Sequence, residues 1–338
     1  MTGDASEDRV LRQRVEQIAR QLDGDLRRAH DGTGGWADAA QTDRLAQQAL
    51  QRAVDQLHAT DCWGQANRLP SSRLWQIAGV WLESGALQWR ARSKPRGYAG
   101  DFEMLAQIAG YEVCDHPLGA AFDRFFQAQA APQAVRNRMA LIGRAVADFA
   151  RQRSAGPVRI VSVGSGPALD LQQACSVLTL PQRRRFQIVL LDLDPAALEY
   201  ARGQLAAWLE PSQVQPVREN LFRLAASNRR GSWLDGADMI VCTGLFDYLD
   251  DTAATALLQR FWQALRPAGQ AWVFNFAPQN PSRAYMEWIG NWYLIYRTAA
   301  QMRQLATRAG IADQNARIAA EPTGVNLYWQ IARAADGA

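Results

Sequence analysis

Apolar residues recur at three- and four-residue steps along the first 150 residues of the chain. Val15, Ile18, Leu22 and Leu26 follow this spacing, which is typical of an amphipathic helix. A loop is predicted at 94–100, because one Pro and two Gly interrupt the pattern there. The spacing predicts helices over 7–31, 43–57, 71–91, 102–108, 121–129 and 133–151.

The pattern changes after residue 157, where short apolar runs alternate with amphipathic stretches. Strands that alternate with helices predict parallel β-α-β units, with ligands bound at the carboxyl ends of the strands. We therefore expect a helical region over 1–153 and an α/β domain over 154–338. The predicted strands are 158–163, 187–191, 214–217, 239–243, 271–276, 317–320 and 327–332, and the predicted helices are 168–177, 195–208, 252–265, 281–296 and 298–308.

Composition narrows the function classes. The 338 residues include 37 basic and 33 acidic side chains, a net charge of +4 that is spread along the chain. Because nucleic-acid binding needs clustered positive charge, no nucleic-acid partner is predicted. The four cysteines form no Cys-x-x-Cys pair and the three histidines lack metal-ligand spacing, so no metal is expected. Neither a signal peptide nor a membrane span of ~18 apolar residues is indicated, which predicts a cytoplasmic protein; the oligomeric state is not indicated.

A glycine turn follows the first predicted strand of the α/β domain. Gly164-Ser165-Gly166 opens a helix, and the next strand ends in Asp192-Leu193-Asp194. Glycine permits a tight turn and close approach of a ligand, and an acid at the end of the second strand can accept hydrogen bonds from ribose hydroxyls. A nicotinamide cofactor would favour a third glycine, which is missing here.

These motifs resemble the class I S-adenosylmethionine (SAM)-dependent methyltransferase fold over about 158–333. The resemblance implies a Rossmann-like, mostly parallel sheet with an antiparallel last strand, preceded here by a helical N-terminal cap. It implies that the turn packs beside SAM, that Asp192 binds ribose and that Asn220 meets adenine. At Ser162 the family commonly has an acid, so the motif assigns no partner to the methionine part of SAM. The implied cofactor-binding set is Gly164, Ser165, Gly166, Asp192, Leu193, Asn220, Leu221, Thr243 and Arg136.

A narrower resemblance covers nearly the whole chain. Its carriers are Pro95-Arg-Gly-Tyr-Ala-Gly-Asp-Phe-Glu-Met104, Ala134-Val-Arg-Asn-Arg138, Gly244-Leu-Phe-Asp-Tyr248 and Asn280-Pro-Ser-Arg-Ala-Tyr-Met-Glu-Trp288. They are similar to a bacterial group typified by the synthase of 3-hydroxypalmitic acid methyl ester. They also resemble SAM enzymes of secondary-metabolite clusters, including those that cyclise SAM to azetidine-2-carboxylic acid. The segments do not choose among these substrates.

Four polar residues are candidates for the chemistry. Asp247 and Tyr248 follow the fourth strand of the domain and could orient a substrate amine or hydroxyl, whereas the alternative is a helix cap and a packing tyrosine. Asn275 lies near the end of the fifth strand and could reach the cleft or cap a loop. Tyr98 lies between two glycines in a loop that could close over SAM.

Arg136 and Arg138 precede the first strand and could bind the SAM carboxylate or lie on a surface helix.

A substrate pocket is predicted from the aromatic helix over 281–296. Its aromatics fall on one helix face and could form a pocket wall, although such a stripe is usually core. Aromatic faces also attract a sulfonium cation. Arg283 and Arg297 could bind a carboxylate or form structural ion pairs. The predicted pocket residues are Arg96, Tyr285, Trp288, Trp292, Tyr296 and Arg283.

Three functions remain open at this point. The first is methylation of a small, partly apolar substrate, with a hydroxy-acid carboxylate as a candidate acceptor. The second is cyclisation of SAM itself by attack of its amino group on Cγ, which releases methylthioadenosine. The third is a SAM-binding partner protein without catalysis, which the absence of an acid at Ser162 favours and the complete glycine turn with Asp192 disfavours.

Overall fold

The computed structural model describes residues 3–153, 155–221, 223 and 233–335. The chain divides into two compact units, the first formed by Met1–Gln133 and Pro281–Tyr293 and the second by Ala134–Asn280 and Leu294–Ala338. The sequence analysis placed one boundary after residue 153. In the structure the first division falls within a helix, and residues 281–293 join the helical unit. No helix among the described residues is both long and apolar enough to cross a membrane.

Helices form the first unit. They begin at polar caps: Asp38 accepts a hydrogen bond from Gln41 N and Asp101 from Met104 N, which satisfies backbone donors at the helix starts. The predicted helix over 71–91 is wrong as a single element, because it is interrupted at 83–85. The helices are α1 (Gly3–Gly32), α2 (Ala39–His58), α3 (Arg68–Leu82), α4 (Ala86–Ser93), α5 (Phe102–Gly110), α6 (Pro117–Gln127) and the start of α7 (Ala130–Gln152).

The predicted aromatic helix over 281–296 is also wrong. A single π-helical turn, Tyr285–Ile289, is followed by irregular chain over 291–298. Asn291 has a φ of +48°, a left-handed conformation that commonly ends a helix. A Cβ at the preceding Gly290 would stand 2.9 Å from Met286 O, so this tight reversal requires glycine. The aromatic residues of this segment therefore do not share one helix face.

The second unit contains the predicted α/β domain, and this fold class is confirmed. Among the described residues the sheet has seven strands in the order β3-β2-β1-β4-β5-β7-β6. The first five strands are parallel, and β7 runs antiparallel to both β5 and β6. The strands are β1 (Val158–Val163), β2 (Phe186–Asp192), β3 (Val214–Arg218), β4 (Ala237–Cys242), β5 (Leu265–Phe276), β6 (Ala316–Ala320) and β7 (Asn326–Ala332). The helices are α8 (Leu169–Ser176), α9 (Leu180–Arg183), α10 (Pro195–Leu205), α11 (Asp251–Ala264) and α12 (Ala299–Arg308), with most of α7.

The order of the strands positions the site. The chain winds outward from β1 through β2 to β3 and then returns to place β4 on the other side of β1. In such sheets the crevice at this reversal, outside the carboxyl ends of the strands, is where ligands bind. Two apolar cores, one built on Ile240 and Phe261 and the other on Ile160 and Ile142, fix the strands that end there.

Candidate functional site

The glycine turn after β1 has the backbone that its sequence predicts. Gly164 has a φ of +63° and Gly166 a φ of +48°, both in the left-handed region that favours glycine. Gly164 N and Ser165 N donate to Leu191 O at 2.8 and 3.0 Å, which joins the turn to the end of β2. The Ser165 hydroxyl is buried and has no hydrogen-bond partner among the described residues. Two backbone hydrogen bonds therefore hold the turn against β2, and the turn carries a buried hydroxyl without a partner among the described residues.

Asp192, the last residue of β2, holds this turn in place. Its Oδ2 accepts from Gly166 N at 2.9 Å and its Oδ1 from Asp194 N at 3.0 Å. Burial raises the pKa of Asp192, and the backbone N–H donors partly offset this rise. Each carboxylate oxygen has a second lone pair, so Asp192 can accept further hydrogen bonds from ligand hydroxyls. The adjacent Leu193 is 44% exposed, an apolar side chain at the rim.

A buried polar network holds the loop after β4. Asp247 Oδ1 accepts from Asn275 Nδ2 at 3.0 Å and from Phe276 N at 2.7 Å. Arg297 donates to Asn275 Oδ1 at 2.7 Å, to the carbonyls of Phe246 and Leu249, and to Asp251. Both ends of the Asn275 amide are therefore occupied by the fold. Burial raises the pKa of Asp247 to about 7, although the Phe276 N–H, Arg138 and Arg297 oppose the rise.

Arg138 lies buried on α7 and faces the same loop. Its side chain is within electrostatic reach of Asp247, Tyr248 and Asp170, yet among the described residues it forms no ion pair within 4.0 Å. Its Nε has no hydrogen-bond partner in that part of the chain. In the amide orientation that gives Asn326 hydrogen-bond partners for both its nitrogen and its oxygen, the oxygen accepts from Arg138 Nη1 at 3.3 Å. Burial lowers the pKa of Arg138, but a guanidinium stays charged in proteins.

Asp170 is the second residue of α8, directly after the glycine turn. It is 6% exposed and accepts a hydrogen bond from Leu171 N at 2.8 Å. No cation lies within 4.0 Å of its carboxylate among the described residues. Burial raises its pKa to about 6, and the Leu171 N–H and Arg138 oppose the rise. The sequence analysis did not select Asp170. Its position among apolar residues of a helix, directly before Leu171 and soon after the glycine turn, could have indicated a buried acid.

The other cofactor-site predictions also lie in the second unit. Asn220 follows β3 and accepts from Arg223 N at 3.2 Å, whereas Leu221 is buried in the core. Thr243 and Tyr248 are half-buried in the loop after β4, and Arg136 is half-buried on α7. Their roles toward a ligand stay predictions.

The predicted pocket residues are divided between the units. Tyr296 belongs to the second unit, and the other five belong to the first. Tyr285 stacks on Phe126 at 4.9 Å and donates to Gln88 Oε1 at 2.7 Å. Trp288 is fully buried. A Cβ at Gly100 (φ +71°) would stand 2.5 Å from the Trp292 ring, so this ring packs on the 94–100 loop.

The two arginines of this set are held by carboxylates. Arg96 Nε donates to Glu103 at 2.9 Å, and Arg283 Nε donates to Glu287 at 2.7 Å. Each guanidinium also lies over an aromatic ring, Arg96 over Phe102 and Arg283 over Trp63. These contacts agree with the structural alternative for Arg283. Tyr98 is half-buried in the loop of the first unit, and its catalytic role stays a prediction.

Comparison with known proteins supports the sheet and the turn. Residues 161–271 match a family model described as a methyltransferase domain. A "possible exported protein" from Bordetella parapertussis is 20% identical, with a TM-score of 0.55 over 88% of this chain and 96% of that one. The CurJ carbon methyltransferase is 11% identical, with a TM-score of 0.52 over 99% of this chain and 94% of that one. A search of curated proteins finds no match. At these identities the structural likeness establishes the fold alone.

The strand order and the match over residues 161–271 together show the α/β fold of a methyltransferase domain in the second unit. SAM is the cofactor that the sequence resemblance predicts for this domain. The residues present fit it: a glycine turn in left-handed conformation, a strand-end acid with spare acceptor capacity, and two buried polar side chains, Ser165 and Arg138, with unsatisfied donors.

Proposed function

We propose that the chain is a SAM-dependent methyltransferase acting on a small, partly apolar substrate, with a hydroxy-acid carboxylate as the leading acceptor. The observation that carries the proposal is the join between the glycine turn and Asp192, whose carboxylate accepts from Gly166 N at 2.9 Å. In this arrangement Asp192 binds the ribose hydroxyls, Asn220 and Leu193 contact adenine, and Arg138 or Arg136 binds the SAM carboxylate. When bound, SAM supplies an electrophilic methyl group on a sulfonium.

The residues of the chain contribute positioning and proton handling. The nucleophile forms a bond to the methyl carbon while the sulfur–carbon bond breaks and its electron pair stays on sulfur. A carboxylate nucleophile carries no proton at pH 7 and needs alignment alone. An amine or hydroxyl nucleophile releases a proton, which Asp247 can accept, since its pKa is raised to about 7. The Asn275–Arg297 network fixes Asp247 for this role.

We propose cyclisation of SAM as the second candidate, with Asp247, held by Asn275 Nδ2 and Phe276 N, as the proton acceptor. A buried carboxylate with a pKa of about 7 suits removal of a proton from an ammonium group. The SAM amino nitrogen would then attack its own Cγ, the Cγ–sulfur bond would break, and methylthioadenosine would leave with the electron pair. This reaction needs no second substrate.

A single incubation separates these functions. Purified protein is mixed with SAM, first alone and then with a panel of hydroxy acids, and the products are analysed by mass spectrometry. Methyl transfer predicts S-adenosylhomocysteine that forms only when an acceptor is present. Cyclisation predicts methylthioadenosine and azetidine-2-carboxylate from SAM alone. The absence of turnover in both conditions, with SAM bound, would contradict the enzyme proposal and support a non-catalytic SAM-binding protein.

A matched pair of variants tests the proton acceptor. Asp247→Asn keeps the shape and the hydrogen bond from Phe276 N but cannot accept a proton. Asp250→Asn changes a nearby exposed acid that caps α11. If the nucleophile loses a proton, Asp247→Asn should lower turnover by about 100-fold, the usual scale for a general base, and Asp250→Asn should not. Equal turnover in the wild type and Asp247→Asn would favour a carboxylate nucleophile.

A further inference from the structure

Two buried charges of opposite sign lie near each other in the second unit without touching. Arg138 is 4% exposed and Asp170 is 6% exposed. Each lies within electrostatic reach of the other, but no ion pair joins them within 4.0 Å. A buried charge without a partner destabilises a protein, and apolar residues of the same volume would often be more stable. The stability of the fold therefore does not account for this pair.

Both residues are located near the carboxyl end of β1. Asp170 is the fourth residue after Gly166 and the second of α8. Arg138 lies 14 residues before the end of α7, which then leads into β1. Fourteen residues of helix measure about 21 Å, comparable with the ~20 Å of a six-residue strand, so the chain returns Arg138 to that end of the sheet. Consistent with this, a Cβ at Gly244, in the loop after β4, would stand 3.6 Å from Arg138 Nη2.

Unused hydrogen-bonding capacity points to a ligand between these charges. Arg138 Nε and the Ser165 hydroxyl are both buried and have no partner among the described residues. A guanidinium binds a carboxylate with two parallel hydrogen bonds, whereas a carboxylate binds an ammonium group. A ligand that satisfies both groups at once is a zwitterion of the α-amino-acid type.

The rest of the site explains why Asp170 is needed. Ser162 lies on β1, where its hydroxyl offers no charge to an ammonium group. Asp247 already accepts two hydrogen bonds on Oδ1, from Asn275 and Phe276. Asp170 Oδ1 accepts from Leu171 N, and its carboxylate keeps acceptor capacity for an ammonium group.

We propose that Arg138 and Asp170 form a receptor for the zwitterionic amino-acid end of the cofactor, in which Arg138 binds the carboxylate and Asp170 the ammonium group. In this proposal, Asp170 on α8 takes the place of the acid that the family commonly has on the first strand, at the position of Ser162. This inference rests on the proposed function, because it assigns the methionine end of the same SAM site.

Calorimetric titration with three ligands tests each half of the receptor. S-adenosylhomocysteine carries both charges, its deaminated analogue keeps the carboxylate, and methylthioadenosine lacks both. Asp170→Asn should weaken S-adenosylhomocysteine by at least ~10-fold, the scale of a hydrogen bond to a charged group, and leave the other two ligands within about twofold. Arg138→Met should weaken both carboxylate ligands and leave methylthioadenosine unchanged. Asp148→Asn, an exposed acid on α7, is the control and should bind all three as the wild type does.

Three results would overturn the assignment. One is unchanged S-adenosylhomocysteine affinity in Asp170→Asn, and another is equal weakening of all three ligands, which indicates general damage to the site. The third is a loss in Asp170→Asn for the deaminated analogue as large as for S-adenosylhomocysteine. If Arg138→Met does not fold by circular dichroism, Arg138→Lys replaces it and should lose the bidentate contact. Failure of the wild type to bind S-adenosylhomocysteine would instead reject the proposed function itself.

Discussion

Two buried arginines in the second unit have opposite surroundings. Arg297 is 2% exposed and donates to two backbone carbonyls, to Asn275 and to Asp251. Arg138 is almost as buried, yet it has no ion pair within 4.0 Å among the described residues and its Nε has no partner there. The first holds three segments of the chain together. The second has a buried Nε without a partner among the described residues, and we propose that its guanidinium binds a ligand, so equal burial need not mean equal roles.

The largest expected effect is on stability. Arg297→Met removes the donors of the Phe246 and Leu249 carbonyls and of Asn275, which are then left buried and unsatisfied. We expect the free energy of unfolding to fall by about 3–5 kcal/mol, the scale for breaking a buried charged network. Urea unfolding followed by circular dichroism measures this change.

Arg138→Met is the matched comparison for that measurement. Since Arg138 forms no ion pair with any described residue, its replacement by an apolar side chain should change the free energy of unfolding by less than about 1 kcal/mol, or raise it. Equal destabilisation by the two substitutions would show that the contrast between these arginines is wrong.

Asp192 holds the glycine turn and is proposed to bind ribose, and its removal should have the next largest effect. Asp192→Ala should weaken SAM binding by about 1.5–3 kcal/mol, the scale for losing hydrogen bonds to a charged group. Asp194→Ala is the control, because Asp194 caps α10 through Ala196 N in the same segment and is not proposed to bind ribose. Asp194→Ala should weaken SAM binding much less than Asp192→Ala does. Calorimetry that finds unchanged SAM affinity in folded Asp192→Ala rejects the ribose assignment.

Two tyrosines of the first unit extend the comparison. The Tyr285 hydroxyl donates a hydrogen bond to Gln88, so Tyr285→Phe should lower stability and not turnover.

Tyr98 is proposed to orient the nucleophile from a closing loop. Tyr98→Phe should then lower turnover by at least ~10-fold, about 1.4 kcal/mol, with SAM affinity nearly unchanged. Steady-state kinetics measures this change. Turnover equal to the wild type in Tyr98→Phe would contradict the orienting role and indicate that the loop is structural.

A further expected effect is the pH dependence contributed by Asp247, which has electrostatic interactions with both Arg138 and Arg297. Its folded pKa of about 7 is above the ordinary value of about 3.9, so the folded protein holds the extra proton between these values. The stability contributed by this group therefore falls as pH rises towards 7. Relative to Asp247→Asn, the wild type should lose up to about 1.4 kcal/mol per pH unit between pH 5 and 7.

Urea unfolding of both proteins at pH 5, 6, 7 and 8 measures this difference. The nearby groups that titrate or carry charge are Arg138, Arg297, Tyr248, Cys242 and, through Arg138, Asp170, of which the arginines stay charged throughout and Asp170 is common to both proteins. Parallel pH profiles for the wild type and the variant would contradict the raised pKa.

The sequence predicted the parts of the molecule where local pattern decides the outcome. The strand 158–163, the glycine turn and Asp192 follow from apolar runs and from residues with special backbone freedom. The prediction of a helix over 281–296 was wrong because it relied on the spacing of the aromatic residues. It did not take account of Gly290 and Asn291, where the helical turn ends. The hydrogen bonds that occupy both ends of the Asn275 amide, and the absence of an ion pair between Arg138 and any described residue, depend on residues far apart in sequence. Periodicity alone could have flagged Arg138, since Val135 and Ile142 place it on the buried face of α7.

The most direct test of the account is a crystal structure of the protein with S-adenosylhomocysteine. The account predicts the ribose hydroxyls within hydrogen-bond distance of Asp192, the carboxylate on Arg138 and the ammonium group on Asp170. A ligand bound elsewhere in the second unit, or at this turn with its amino-acid end away from Arg138 and Asp170, would contradict it.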